Sequence, residues 1–253
     1  MKRISKVFNE KRDLLSIFFT AGYPNLNDTQ AIISGLSESG VDFIEVGLPY
    51  SDPLADGPTI QDSSQIALQN GMNLDVVFEQ LKAIKELNST PLVLMGYLNQ
   101  LLKYGEEKFC KACVDCGIET LILPDLPMIE YENHYQKLFE KYGLTNVFLI
   151  TPHTSTERIR KIDSLTEAFI YVVASASITG AKGEISSQQI AYFEQIKKMK
   201  LQSKLVVGFG ISDSKTFTTA CNYANGAIIG SAFIKDLSIN GVEGINKFIN
   251  SIR

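Results

Sequence analysis

Val41-Asp-Phe-Ile-Glu-Val-Gly-Leu48 reads as a β-strand with no face for water. Phe43 and Glu45 point one way and Ile44 and Val46 the other, so both sides are apolar apart from one acid. A strand on a half-wet sheet alternates apolar with polar residues, whereas a near-continuously apolar one is covered on both faces. The same texture recurs over 15–21, 91–97, 120–124, 146–151, 169–174, 204–209 and 226–230, which makes eight strands with the first. Such strands build a parallel sheet.

Between them lie segments with apolar residues at i, i+3 and i+4, among them 28–39, 74–87, 106–116, 130–142, 156–162, 187–199 and 242–252. Asn27-Asp28 and Ser155-Thr156-Glu157 supply helix starts, and Gly40, Gly71 and Gly117 fall where left-handed C-terminal caps belong. Strand then helix, eight times, predicts a (β/α)8 TIM barrel, and 253 residues suit that fold. No linker rich in Gly, Pro or Ser divides the chain, so residues 1–253 read as a single TIM-barrel domain. A doubly wound open sheet stays possible, because periodicity does not distinguish a closed sheet from an open one.

Composition excludes several functions. With 24 Lys and Arg against 28 Asp and Glu the chain carries a formal charge of -4, which gives no electrostatic reason to bind nucleic acid. No apolar run approaches the roughly 18 residues of a membrane span, and 14–19 is too short for a signal peptide. A cytoplasmic location is expected. Cys110, Cys113 and Cys116 form a C-x-x-C-x-x-C run, yet the fourth ligand of an iron–sulfur set and its proline are missing. Three-residue steps on a helix put these thiols on one side, with Phe109 and Ala112, as core. His134 and His153 have no metal-ligand spacing, and no metal site is expected.

In a barrel of this kind the site forms at the C-terminal ends of the strands, and the long loops 49–59 and 175–187 leave two of them. Gly208-Phe-Gly210 and Gly226 to Ser231, the latter leading into an apolar helix start, are glycine-rich. They let backbone N–H groups and a helix N-terminus approach an anion, so a phosphate-bearing ligand is expected; close packing is the plainer explanation. Ser231 adds a hydroxyl. Thr179-Gly-Ala-Lys-Gly183 reads as a lid, or as an ordinary loop.

Glu45 is the most informative acid. Buried in an apolar strand, its carboxyl is pushed towards a pKa at which it can give and take a proton near neutrality; a structural pairing is the alternative. Asp52 and Asp56 lie in a loop where turn capping is an easy explanation. Asp125 follows the fourth strand and could brace the site.

These residues carry a resemblance. Phe43-Ile-Glu-Val-Gly-Leu-Pro-Tyr-Ser-Asp-Pro-Leu-Ala-Asp-Gly-Pro-Thr-Ile-Gln61 resembles the tryptophan synthase alpha chain family over a long, specific motif. Phe18 to Pro24, Leu94 to Asn99, Leu123 to Pro127, Thr179-Gly180, Gly208 to Ser212 and Gly226 to Ser231 follow in the family's order.

The resemblance implies a lyase that cleaves indole-3-glycerol phosphate by a retro-aldol step to indole and glyceraldehyde 3-phosphate. It assigns the proton transfers to Glu45 and the indole N–H acceptor to Asp56. The indole pocket would be lined by Phe18, Ile60, Ile122, Tyr171, Phe209 and Ile228. Tyr97, Asn99 and Asp125 would orient the site, Gly180, Gly210, Gly230 and Ser231 would hold the phosphate, and Thr179 would also bind substrate. No cofactor is implied, since a protonated indole ring is its own electron sink. The implied partner is a pyridoxal phosphate-dependent tryptophan synthase beta chain in an α2β2 heterotetramer. Loop 51–58, with Pro53 and Leu54 beside Asp52, would be the contact, and the isolated chain would turn over slowly.

The chain departs from the family after strand six, where Ser175 stands in a position commonly Arg and Ser177 in one commonly Gly. Two other functions stand as alternatives. A Schiff-base aldolase or sugar-phosphate isomerase needs a Lys, or a His with an acid, at a strand end; no strand end offers a Lys. A non-catalytic barrel that only activates a beta chain would have no use for Glu45 and Asp56.

Overall fold

The computed structural model describes residues 2–174, 185–208 and 210–253. Eight parallel strands, β1 (Leu14–Thr20), β2 (Phe43–Gly47), β3 (Leu92–Met95), β4 (Thr120–Ile122), β5 (Thr145–Ile150), β6 (Phe169–Val173), β7 (Lys204–Gly208) and β8 (Gly226–Ile229), pair in sequence order and close, β8 on β1. The expected TIM barrel is the fold, and the open sheet is excluded.

Register shows what faces inward. Residues paired across parallel strands point the same way. Glu45 pairs with Phe18 and Val93, and Val93 leads to Thr120 and Thr145. On the other side Leu149, Tyr171, Val206, Gly226 and Leu14 follow one another across β5 to β1. Glu45, Phe18, Ile122, Tyr171 and Ile228 therefore share the interior. Phe43 lies one pleat below Glu45, where its ring meets Phe169 at 5.5 Å between centroids. Phe8 closes that lower end, 6.0 Å from Phe43 and 5.6 Å from Phe169.

Phe8 comes from α1 (Arg3–Glu10), a helix before the first strand that sequence reading missed. The helices that follow are α2 (Asp28–Glu38), α3 (Pro58–Gln69), α4 (Leu74–Ile84), α5 (Leu98–Tyr104), α6 (Glu106–Asp115), α7 (Met128–Glu130), α8 (Gln136–Lys141), α9 (Thr156–Leu165), α10 (Ser187–Lys198), α11 (Ser214–Cys221), α12 (Ser231–Asn240) and α13 (Ile245–Ile252). The single helix expected over 130–142 is split: a π turn, Tyr131–Tyr135, joins α7 to α8. Gly40, Gly71 and Gly117 have φ of 80°, 93° and 73°, so all three cap in the left-handed region as expected. Ser155 caps α9 by accepting from the Arg158 N–H, whereas Asn27 makes no side-chain cap and Asp28 instead accepts from Asn25.

Cys110, Cys113 and Cys116 are buried free thiols, with the Cys116 thiol donating to the Phe78 carbonyl at 3.2 Å. They are core, as expected. Among the described residues no group of three or more His, Cys, Asp or Glu could hold a metal ion, and no helix is long and apolar enough to cross a membrane.

Candidate active site

Two acids three residues apart in β2 and its approach have opposite surroundings. Asp42 is buried on the outer side of the barrel wall, where Lys11 and Arg253 reach it at 2.7 and 2.6 Å and the Leu15 N–H donates to it at 2.9 Å. Its charge is answered, and it fastens both chain ends to the barrel. Glu45, on the inner side, is 0% exposed, and among the described residues neither carboxylate oxygen has a hydrogen-bond partner. An ionised carboxylate there would be desolvated with no compensating donor. Burial accordingly pushes the Glu45 carboxyl up to about 8. The strand that buries this acid supplies no cation to offset that cost.

Asp56 reaches the same interior from the loop after β2. That loop folds back on itself, with the Asp56 N–H donating to the Pro53 carbonyl at 3.0 Å and Gln61 Nε2 to the Asp56 carbonyl at 2.9 Å. The Tyr97 hydroxyl accepts from the Ala55 N–H at 3.1 Å and donates to Asp56 Oδ2 at 2.8 Å. Asp56 Oδ1 is buried, and among the described residues it has no partner. Burial raises the Asp56 carboxyl, the Tyr97 bond pulls it back, and it comes to rest at about 6. Burial raises both carboxyls, and only Asp56 has a hydrogen bond that pulls it back, so the two environments push the pair apart.

Tyr171 belongs to the same group: both Glu45 and Asp56 hold its phenol well above the ordinary range, after burial, the largest cause. Space for its ring comes from Gly208, where an added Cβ would stand 2.0 Å from the Tyr171 hydroxyl oxygen. Gly47 does the same for Phe18, whose ring a Cβ would meet at 2.4 Å. Phe18 and Ile60 converge on Gly230, at 3.5 and 3.6 Å from where its Cβ would be. Ile122 and Ile228 are buried in the interior beside them.

The glycine-rich ends divide. Gly230 is the N-cap residue of α12, with no side-chain cap among the described residues, and Ser231 is its exposed first residue. Gly210 is exposed with φ of 80°. Gly226 and Gly208, which the sequence placed in the same anion-binding runs, serve packing instead. A Cβ at Gly226 would come within 2.4 Å of the Leu14 carbonyl oxygen, so this glycine lets β8 close on β1.

Asn99 and Asp125 stand at the rim. Both are exposed; Asn99 donates to the Tyr50 hydroxyl at 3.1 Å and Asp125 accepts from the Leu98 N–H at 2.9 Å. Pro53 is buried, so the apolar side chain that loop 51–58 presents outward is Leu54, 88% exposed. Thr179, Gly180 and Phe209, together with the lid, Ser175 and Ser177, lie outside the described residues. Sequence reasoning missed Tyr50, Gln61 and Gln100. Gln100 binds the Pro49 carbonyl at 3.0 Å and accepts from the Tyr97 N–H at 2.9 Å.

A closed parallel barrel with two buried carboxyls raised by burial and an exposed helix start has the features of an enzyme site for a small ligand. Residues 4–250 match the family model of the tryptophan synthase alpha chain. The alpha chain of Flavobacterium psychrophilum is 56% identical over 252 residues, and that of Parabacteroides distasonis 46% over 256, each alignment covering 100% of both chains. Among solved structures, the tryptophan synthase A-subunit of Pyrococcus furiosus matches with a TM-score of 0.87 at 31% identity, over 96% of this chain and 98% of its own. Tryptophan synthase from M. tuberculosis matches with a TM-score of 0.87 at 28% identity, over 100% and 98%. The chain belongs to the tryptophan synthase alpha chain family. It is a carbon–carbon lyase of tryptophan biosynthesis, cleaving indole-3-glycerol phosphate to indole and glyceraldehyde 3-phosphate.

Proposed function

We propose that Glu45 makes both proton transfers of this cleavage and that Asp56 stabilises the charge between them. Protonated Glu45 gives its proton to C3 of the indole ring, and positive charge develops on the ring nitrogen. Asp56 Oδ1 accepts the N–H and opposes that charge, which is absent from the substrate, so the contact strengthens as the barrier is climbed. Glu45, now a carboxylate in an apolar site, takes the proton of the hydroxyl on the carbon attached to C3. The C–C electrons return to the ring, neutral indole leaves, the side-chain carbon becomes an aldehyde, and Glu45 is protonated again.

The observation that carries this reading is the pair of buried carboxyls with vacant acceptor oxygens, Glu45 with two and Asp56 with one. Phe18, Ile60, Ile122, Tyr171 and Ile228 supply walls of the right chemistry for indole, and Gly230 and Ser231 a seat for phosphate. A Schiff-base route finds no lysine among the strands' final residues, and Lys204 begins β7 at the opposite end.

A pyridoxal phosphate-dependent beta chain is the partner this reading requires, in an α2β2 assembly in the cytoplasm. Exposed Leu54 sits two residues from Asp56, so a partner resting on this loop would act on the catalytic carboxylate directly. The test follows free indole from indole-3-glycerol phosphate, with and without added beta chain. Wild type should release indole slowly and speed up with the beta chain, while Glu45→Gln should be silent in both. Full release by Glu45→Gln would sink the assignment, and no rise on adding the beta chain would sink the coupling.

A further inference from the structure

Accepting Asp56 as the ring-nitrogen acceptor raises the question of what aims its carboxylate. One oxygen must be committed so that the other faces the substrate, and the residues responsible form a line leading outward. Asp56 Oδ2 is held by the Tyr97 hydroxyl at 2.8 Å. The Tyr97 ring lies against the Tyr50 ring with centroids 5.0 Å apart and planes inclined by 27°. The Tyr50 hydroxyl in turn accepts from Asn99 Nδ2 at 3.1 Å. Tyr97 is buried, Tyr50 half-buried and Asn99 exposed, so the line runs from the interior to the surface.

The Tyr97 hydroxyl has one proton to donate. Because it accepts from the Ala55 N–H at 3.1 Å, its proton is directed at Asp56 only while the ring keeps its place. The Tyr97 backbone is fixed by Gln100, but nothing in that bond stops the ring from swinging. The stacked Tyr50 ring does so, since offset aromatic pairs hold both position and tilt.

We propose that Tyr50 is a positioning residue for the cleavage: stacked on Tyr97, it fixes the hydroxyl that commits one oxygen of Asp56 and leaves the other for the indole N–H. This rests on the Asp56 assignment above. Among the described residues Tyr50 makes no hydrogen bond to Asp56, and the contact that joins it to that carboxylate is its stacking on Tyr97. The groups that act on Asp56 are Tyr97, which donates to it, and Tyr171, whose phenol feels both Asp56 and Glu45; Asp125 acts on Tyr97 from the neighbouring strand end. Among the described residues no cation acts on Asp56, so a weakened Tyr97 bond has no substitute.

The test measures the pH dependence of indole release by the full chain, beta chain present, for wild type, Tyr50→Leu, Tyr50→Phe, Tyr97→Phe and the Tyr50→Leu/Tyr97→Phe pair. Tyr50→Leu should lower kcat about tenfold through loss of alignment, with KM changed by less than about twofold. Its acid limb should move to higher pH, because Asp56 loses part of the bond that favours its charged form. Tyr50→Phe should restore both, since it keeps the ring and loses only the Asn99 contact. In the Tyr97→Phe background Tyr50→Leu should cost almost nothing more. Should Tyr50→Leu not fold, as judged by circular dichroism, Tyr50→Met carries the same expectations.

A wild-type kcat and acid limb in Tyr50→Leu would overturn the proposal. So would a lowered kcat with an unmoved acid limb and a cost that adds fully to that of Tyr97→Phe. Asp56→Asn separates the two levels. If it cleaves at the wild-type rate the Asp56 reading fails, and if it is slow while Tyr50→Leu is indifferent only the role of Tyr50 fails.

Discussion

Asp42 and Glu45 differ in what stands opposite them, and that difference decides whose charge is answered within the fold. Asp42 has Lys11, Arg253 and a backbone N–H; Glu45 has no donor among the described residues. Burial without compensation is a cost to the fold, and its pH dependence is predictable. The Glu45 carboxyl sits at about 8 in the folded chain against an ordinary 4.5. Between those values the folded chain holds a proton that the unfolded chain releases, so stability falls as pH rises through that window. Glu45→Gln removes the titration. Its stability relative to wild type should therefore climb from pH 5 to pH 8 by about 3–4 kcal/mol, read from urea unfolding at several pH values. A difference that stays flat with pH would mean that Glu45 does not keep its proton. Glu45 was legible in the sequence because an acid inside a wholly apolar strand is conspicuous. Asp56 was not legible from local pattern alone, because its burial and its Tyr97 bond come from a residue 41 positions away.

At the scale of elements, the strand ends make room for rings by omitting side chains. Gly208 faces the Tyr171 hydroxyl and Gly47 the Phe18 ring, each too close for a Cβ. Gly208→Ala should displace Tyr171, lowering stability by about 1–3 kcal/mol in urea unfolding and raising KM for indole-3-glycerol phosphate. Unchanged values for both would show that the ring has space to spare. The sequence marked Gly208 as special but suggested anion binding, since a glycine admitting an anion and one admitting an aromatic ring look alike without their neighbours; Gly47 it did not single out. Helices with a clear apolar stripe, such as α4 and α6, were legible. The short α5 and the π turn within 131–135 were not, because they are set by Gln100, Tyr97 and tertiary packing more than by periodicity.

The whole molecule separates a reacting end from a fastening end. At the lower end Phe8 of α1 meets Phe43 and Phe169, and Asp42 ties Lys11 to Arg253 near the other terminus. Phe8→Ala should cost about 3 kcal/mol of stability while leaving kcat for indole release within about twofold at temperatures where the barrel is folded. A large drop in kcat with little loss of stability would mean that the two ends are coupled. Eight strand–helix repeats pointed to the closed barrel, although periodicity alone left an open sheet possible, and closure rests on Gly226 meeting the Leu14 backbone across the seam. Closure matters to the chemistry, since an open sheet would have let water reach Glu45. The most direct measurement is the titration of that carboxyl, by 13C NMR of the full chain carrying glutamate labelled at the side-chain carboxyl, with Glu45→Gln to assign the resonance. The resonance that disappears in the variant should titrate near pH 8; titration near the ordinary 4.5 would contradict the account.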